Sequence, residues 1–181
     1  MSYTTQQGLL LNKLMEFYKK NDNLDKILPI INGEHKVSLR LIDWFVTNYS
    51  KKYFTQYSIY DKSGVDNKTN FKIYVDYKLK LKAYSKKRFD PFCRWERIMV
   101  PYNNSSSIQT TLGQLNFFKW ILEHKILKYI EKNIVEIEND MNTRSSSSRN
   151  RSLLSTNQTR KKRKELSISA TKNIKREDVE I

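Results

Sequence analysis

The chain has 181 residues, with 34 Lys and Arg against 19 Asp and Glu, a formal net charge of +15, and a 38% hydrophobic content. That suffices for one domain core, while no run approaches the ~18 apolar residues of a membrane span. A single cysteine, Cys93, excludes an internal disulfide and a cysteine-built zinc site, and four isolated glycines exclude a phosphate-cradling loop.

In chain order, residues 5–20 place Leu10, Leu11, Leu14, Phe17 and Tyr18 on one stripe, with Lys13, Lys19 and Lys20 outside it. This predicts an amphipathic helix, ended by the polar segment 21–25. Residues 27–31 form a short apolar run containing Pro29, which reads as an edge strand or a loop packed on the core. Asn32-Gly33 follows as a turn. Ser38 caps a second helix over 38–50, with Leu39, Ile42, Phe45, Val46 and Tyr49 on the buried stripe.

Residues 53–60 are aromatic and β-prone, and 61–70 are dense in turn formers. The stretch 71–82, FKIYVDYKLKLK, then alternates without a slip. Phe71, Ile73, Val75, Tyr77, Leu79 and Leu81 fall on one side; Lys72, Tyr74, Asp76, Lys78, Lys80 and Lys82 fall on the other. Period two with β-branched and aromatic content predicts a strand with an apolar face and a basic face, closing a hairpin. Pro91 and Pro101 bracket a further extended piece, and 103–107 reads as a loop. Thr111 caps a long helix to about Asp140, read as continuous ahead of the alternative of a break near His124-Lys125, with Gln114 completing a capping box. Leu115, Phe118, Leu122, Ile126, Tyr129, Ile130, Ile134 and Ile137 carry its apolar spacing.

At residue 142 the composition changes. The last aromatic residue is Tyr129, and the final segment mixes serine with Lys and Arg. Such a segment cannot offset its ordering entropy. The predicted organisation is therefore α+β. A globular domain over 1–141 holds a small antiparallel sheet at about 53–100 packed with amphipathic helices, and 142–181 is a disordered Ser/Arg/Lys-rich basic tail.

Three segments, SLRLIDWFVTNYSKKY (38–53), KLKAYSKKRFDPFCRWERI (80–98) and TTLGQLNFFKWILEHKILKYIEKN (110–133), carry a resemblance. They resemble an uncharacterised small basic protein family of nucleocytoplasmic large DNA viruses of the mimivirus type. The resemblance covers the globular part and brings no catalytic residues with it. It implies a protein made in infected-cell cytoplasm and packed in the virion. The leaderless start read from the residues agrees with a soluble, intracellular or particle-enclosed chain.

Charge points to a partner. Net charge is +8 over 48–100 and +7 over 142–181, and close to zero elsewhere. The nucleic-acid-binding candidates are Lys72, Tyr74, Lys78, Lys80, Lys82, Lys86, Lys87, Arg88, Arg94 and Arg97 in the domain, and Arg160, Lys161, Lys162, Arg163 and Lys164 in the tail. Cations contact phosphates and exposed aromatic rings stack on bases. The plainer reading of the lysine face is a solvated edge that resists aggregation. The cluster 160–164 suits a nuclear import signal, a non-specific nucleic-acid arm or an anchor to an acidic protein. Phosphorylation of the serines before it would add about −1.5 to −2 charges each and weaken polyanion binding.

Enzyme signatures are weak. Asp76-Tyr77-Lys78 on a strand would mimic the metal-holding triplet of restriction-like nucleases, a pattern common by chance in a lysine-rich chain. His35 and His124 are far apart in sequence, and Cys93 has no recognisable partner. The expected function is non-enzymatic, sequence-tolerant nucleic-acid binding, DNA ahead of RNA, with no cofactor. The alternative is a virion structural or adaptor protein that docks other, acidic, virion proteins through its aromatic face or long C-terminal helix.

Overall fold

A computed structural model describes residues 5–60, 68–93, 96–103 and 106–154, with side chains over 6–59, 70–93, 96–102 and 107–144. The chain is mixed α+β, dominated by helix, with nine α-helices and two separate two-stranded antiparallel sheets among the described residues.

Helix α1 (Thr5–Tyr18) buries Leu14 and Tyr18, as its stripe predicts. Asn21 and Asp22 take left-handed backbone and turn the chain sharply into α2 (Asn23–Asn32). The run expected to be an edge strand or loop is thus helical, with Pro29 inside it. Leu24, Ile27, Leu28 and Ile31 sit at helical spacing toward the core, and that burial overrides the loss of one backbone donor at the proline. Gly33, at φ 76°, ends α2 by donating to the carbonyls of Pro29 and Ile30. The Asn32-Gly33 signal therefore serves as a helix C-cap and not as a hairpin turn.

Ser38 caps α3 (Leu39–Trp44), its hydroxyl accepting from the Leu41 N–H at 3.1 Å. The same helical rod continues through a π-helical turn (Phe45–Tyr49) into α4 (Ser50–Lys52). Strand β1 (Gln56–Tyr60) pairs with β2 (Lys68–Lys72), Tyr57 facing Phe71. The hairpin exists, but its second strand lies earlier than predicted.

The largest correction concerns 73–82. Helix α5 (Ile73–Tyr84) occupies the stretch read as the basic strand. Hidden within the alternation, Ile73, Tyr77, Leu81 and Tyr84 also follow the three-to-four spacing of a helix. Tyr77 packs on Phe89, Phe117 and Trp120, and the Trp120 indole N–H donates to Asp76 Oδ2 at 2.6 Å. Val75 and Leu79, assigned to the apolar strand face, are 52% and 58% exposed.

Helix α6 (Lys86–Phe89) follows Ser85, whose φ is 65°. Strands β3 (Arg97–Asn103) and β4 (Ser106–Thr111) form the second hairpin, the latter drawn from residues read as loop and helix cap. The expected single sheet over 53–100 is therefore two hairpins, at 56–72 and 97–111.

Helix α7 (Leu112–Glu123) begins as the sequence indicates, Thr111 Oγ1 accepting from the Gln114 N–H at 3.1 Å. Only half of the capping box forms, because Gln114 Oε1 accepts from Thr110 instead. The long helix predicted to Asp140 is broken at Lys125, which takes a left-handed φ of 56°, giving α8 (Ile126–Lys132) and, after Asn133, α9 (Ile134–Leu154). The compact unit reaches Arg144, and α9 carries helical backbone past the composition change at 142. The tail from 155 onward lies outside the described residues.

Candidate functional site

Three pieces of backbone converge beside α5. Gly113, at the start of α7, has no room for a side chain, since a Cβ there would lie 2.9 Å from the Asp90 carbonyl and 3.1 Å from that of Lys87. This close approach seats α6 against α7. Asn116 Nδ2 adds a hydrogen bond to the Arg88 carbonyl at 2.9 Å, and Phe89 is fully buried between Tyr77, Phe117 and Trp120. From the other side the π-helical turn packs on α5. Its extra residue brings Ser50 N–H back to the Phe45 carbonyl, and the Thr47 hydroxyl donates to the Asp43 carbonyl at 2.6 Å. Irregular turns of this kind recur at functional sites.

Between these walls lies a cleft of about 370 Å³, lined by Asp43, Thr47, Tyr74, Tyr77, Lys78, Leu81, Lys86, Asp90 and Phe92. Its charges are mixed. Burial, with Asp90 adding repulsion, pushes the Asp43 carboxyl up to about 6. That carboxylate has no hydrogen bond or ion pair among the described residues. Asp90 Oδ1 accepts from the Phe92 N–H at 2.9 Å. Burial and then the two aspartates raise the Tyr77 phenol. Phe92 stands 51% exposed.

The cations gather around the mouth. Lys51 and Lys78 lie 5.6 and 5.9 Å from the centroid of the Tyr74 ring, close enough for cation–π attraction. Lys78 and Lys82, one turn apart, share the solvent face of α5 with Val75 and Leu79, and Lys86 follows on α6. Lys51, Lys78, Lys82 and Lys86 form no ion pair among the described residues.

The other predicted site residues are placed as follows. Lys72 is exposed at the end of β2, Lys80 turns to the half-buried side of α5, and Lys87 is exposed on α6. Arg88 is half-buried, with Nη1 3.5 Å from Gln6 Oε1. Arg97 is on β3, held by Gln109 at 3.0 Å, and does not line the cleft. Arg94, Arg160, Lys161, Lys162, Arg163 and Lys164 lie outside the described residues. The single continuous lysine face is thus replaced by a shorter cluster, because a helix rotates alternate residues by about 200° whereas a strand aligns them. The same rotation separates Asp76 from Lys78, which the strand reading put on one face, and Asp76 is engaged by Trp120.

Sequence reasoning missed Lys51, Asp43, Thr47, Asp90 and Phe92. One signal was available for Asp43. It is an acid set four residues after Leu39 and three before Val46, at the edge of an apolar stripe. The histidines stay structural. His35 Nδ1 accepts from the Val37 N–H, and its Nε2 lies 3.5 Å from Glu131, an acidic neighbour the sequence did not reveal. His124 stacks on Phe71 at 4.4 Å. Among the described residues no group of three or more His, Cys, Asp or Glu is placed to hold a metal ion. No helix among them is long and apolar enough to cross a membrane.

The uncharacterized protein L507 of Acanthamoeba polyphaga mimivirus is 38% identical over 145 residues, 77% of this chain and 55% of that protein. The chain thus spans about half the length of the curated relative it matches. No solved structure matches it. The relative is viral, in keeping with the resemblance in the three segments above. With residues 2–179 matching its model, the chain belongs to the DUF7197 family, a family of unknown function.

Proposed function

We propose that the protein binds nucleic acid, DNA ahead of RNA, without strong sequence preference and without catalysis. The observation that carries this reading is the convergence of Lys51, Lys78 and Lys86 around Tyr74 and the cleft, with Lys82 one turn beyond Lys78 on α5, none of them in an ion pair among the described residues. Lysines that form no ion pair keep their charge available for phosphates, and the half-buried Tyr74 ring beside them adds a stacking edge. The basic cluster 160–164 extends the same chemistry into the tail. In a viral setting the task is packaging or protecting the genome in the particle.

Filter binding of the full chain over a salt series tests this, since each phosphate contact contributes roughly −0.9 to the slope of log affinity against log salt on duplex DNA. A steep slope supports the reading, and affinity that barely changes with salt contradicts it.

The adaptor reading draws on one specific observation, the exposed pair Val75 and Leu79 on α5. A docking patch for protein favours an apolar surface free of lysine, whereas Lys78 and Lys82 flank this pair. Purified protein with the ultraviolet absorbance ratio of co-purified nucleic acid favours the first reading; a clean protein spectrum favours the second.

A further inference from the structure

We propose that the cleft between the π-helical turn, α5 and α6 takes one unstacked, amino-bearing base of a single strand, with the flanking phosphates on Lys78 and Lys86. This inference rests on the nucleic-acid reading above and names the ligand of the cleft itself.

The lining decides the ligand class. Two aspartates and two lysines share one small space, so a simple anion meets repulsion from Asp43 and Asp90, and a simple cation meets it from Lys78 and Lys86. A nucleotide carries both complements, donor N–H groups on the base and a phosphate beside it. An ionised carboxylate only accepts hydrogen bonds. Asp43 has both oxygens uncommitted among the described residues, and Asp90 has one engaged by Phe92 N–H. Adenine, cytosine and guanine offer a two-donor exocyclic amine that can serve both carboxylates; thymine and uracil offer only a single ring N–H. The upward shift of the Asp43 carboxyl marks a charge poorly served by its own fold, which a donor from a ligand would satisfy.

Shape agrees. The volume of about 370 Å³ falls in the roughly 300–1,000 Å³ range of small-molecule sites. A base enters such a space only out of its stack, and a duplex does not. Phe92, exposed at the rim, and Tyr74 supply π-faces for it or its neighbour.

Fluorescence anisotropy of the full chain with labelled oligo(dA), oligo(dC), oligo(dT) and a duplex tests the proposal. The expected result is binding of oligo(dA) and oligo(dC) about tenfold tighter than oligo(dT) or duplex, the scale of a good base-edge contact. Asp43→Asn and Asp90→Asn bring that preference to within about twofold, while Lys128→Gln, far from the lining residues in sequence and absent from them, keeps it. Circular-dichroism melts identify any variant that has not folded. In that case Phe92→Leu carries the test, reducing the advantage of single strands over duplex. Equal affinity for all four probes, unchanged in Asp43→Asn, overturns the base site and leaves the phosphate-binding reading standing. Failure to bind any probe removes both.

Discussion

Helices α5 and α7 have the same length, 12 residues each, and opposite lives. Helix α7 buries Leu112, Gly113, Leu115, Asn116, Phe117, Phe118, Trp120 and Ile121. Helix α5 buries only Ile73 and Tyr77 and shows solvent Val75, Lys78, Leu79 and Lys82. A helix enclosed on nearly all sides has its residues chosen by packing. One bolted along a single line leaves most of its circumference free to hold charge. The bolt is Tyr77 among three aromatic rings and Asp76 on the Trp120 indole, so α7 is the platform on which the lysines of α5 and α6 are displayed.

The largest effect that could break this division is on stability. Phe117→Ala in α7 should cost about 3–5 kcal/mol, as for other large core deletions. Val75→Ala on α5 should stay within about 0.5 kcal/mol. Urea unfolding measures both, and similar losses would erase the distinction. Next comes Gly113→Ala, which forces a methyl against the carbonyls of Asp90 and Lys87. A cost of about 1–3 kcal/mol is expected from overpacking against backbone, together with weaker nucleic-acid binding as the α6 wall of the cleft shifts.

Two aspartates sharpen the comparison through pH. Asp43, at the cleft, has a folded value of about 6, above the ordinary carboxylate value of 3.8. It holds its proton more tightly in the fold, so its contribution favours folding at low pH and is lost as pH rises from about 4 to 6. Asp43→Asn should flatten that slope and raise stability at neutral pH by about 1–2 kcal/mol, after allowance for partial solvent access. Asp140, its side chain 6% exposed, works the other way. Burial acts to raise its carboxyl, but hydrogen bonds from Lys52, Trp44 and Tyr53 outweigh burial and hold it below the ordinary range. Its contribution is present above the unfolded value and lost as pH falls through the folded one. Thermal melts of wild type, Asp43→Asn and Asp140→Asn from pH 3 to 7 separate the two; a variant whose profile runs parallel to wild type contradicts the assignment of the residue it replaces.

What the residues revealed on their own was decided by how many physical signals agreed. Around Ser38 and Thr111 a polar cap precedes a stripe of apolar residues at helical spacing, and both helices begin where those caps say. In 71–82 two periodicities coexist. The alternation is unbroken, yet the deciding contacts come from Phe89, Phe117 and Trp120, distant in sequence and invisible to a local pattern. Pro29 misled in a similar way, because core burial of Ile27 and Leu28 outweighs the missing donor. The break at Lys125 falls at the His124-Lys125 position the sequence left open, but the apolar spacing continues across it, with Ile121 and Ile126 both fully buried on either side of a lysine at positive φ. Of the site, the excess charge was legible and its arrangement was not.

The smallest expected effect on stability is also the most telling for function. Replacing Lys51, Lys78, Lys82 and Lys86 together by Gln should leave the melting temperature nearly unchanged, because none has an ion-pair partner among the described residues. Filter binding to DNA over a salt series is the decisive measurement. The quadruple variant should bind more weakly at every salt concentration, with the slope of log affinity against log salt reduced by about 1 for each lysine that reaches a phosphate. Identical affinity and an identical slope in wild type and variant would contradict the claim that this cluster meets a polyanion.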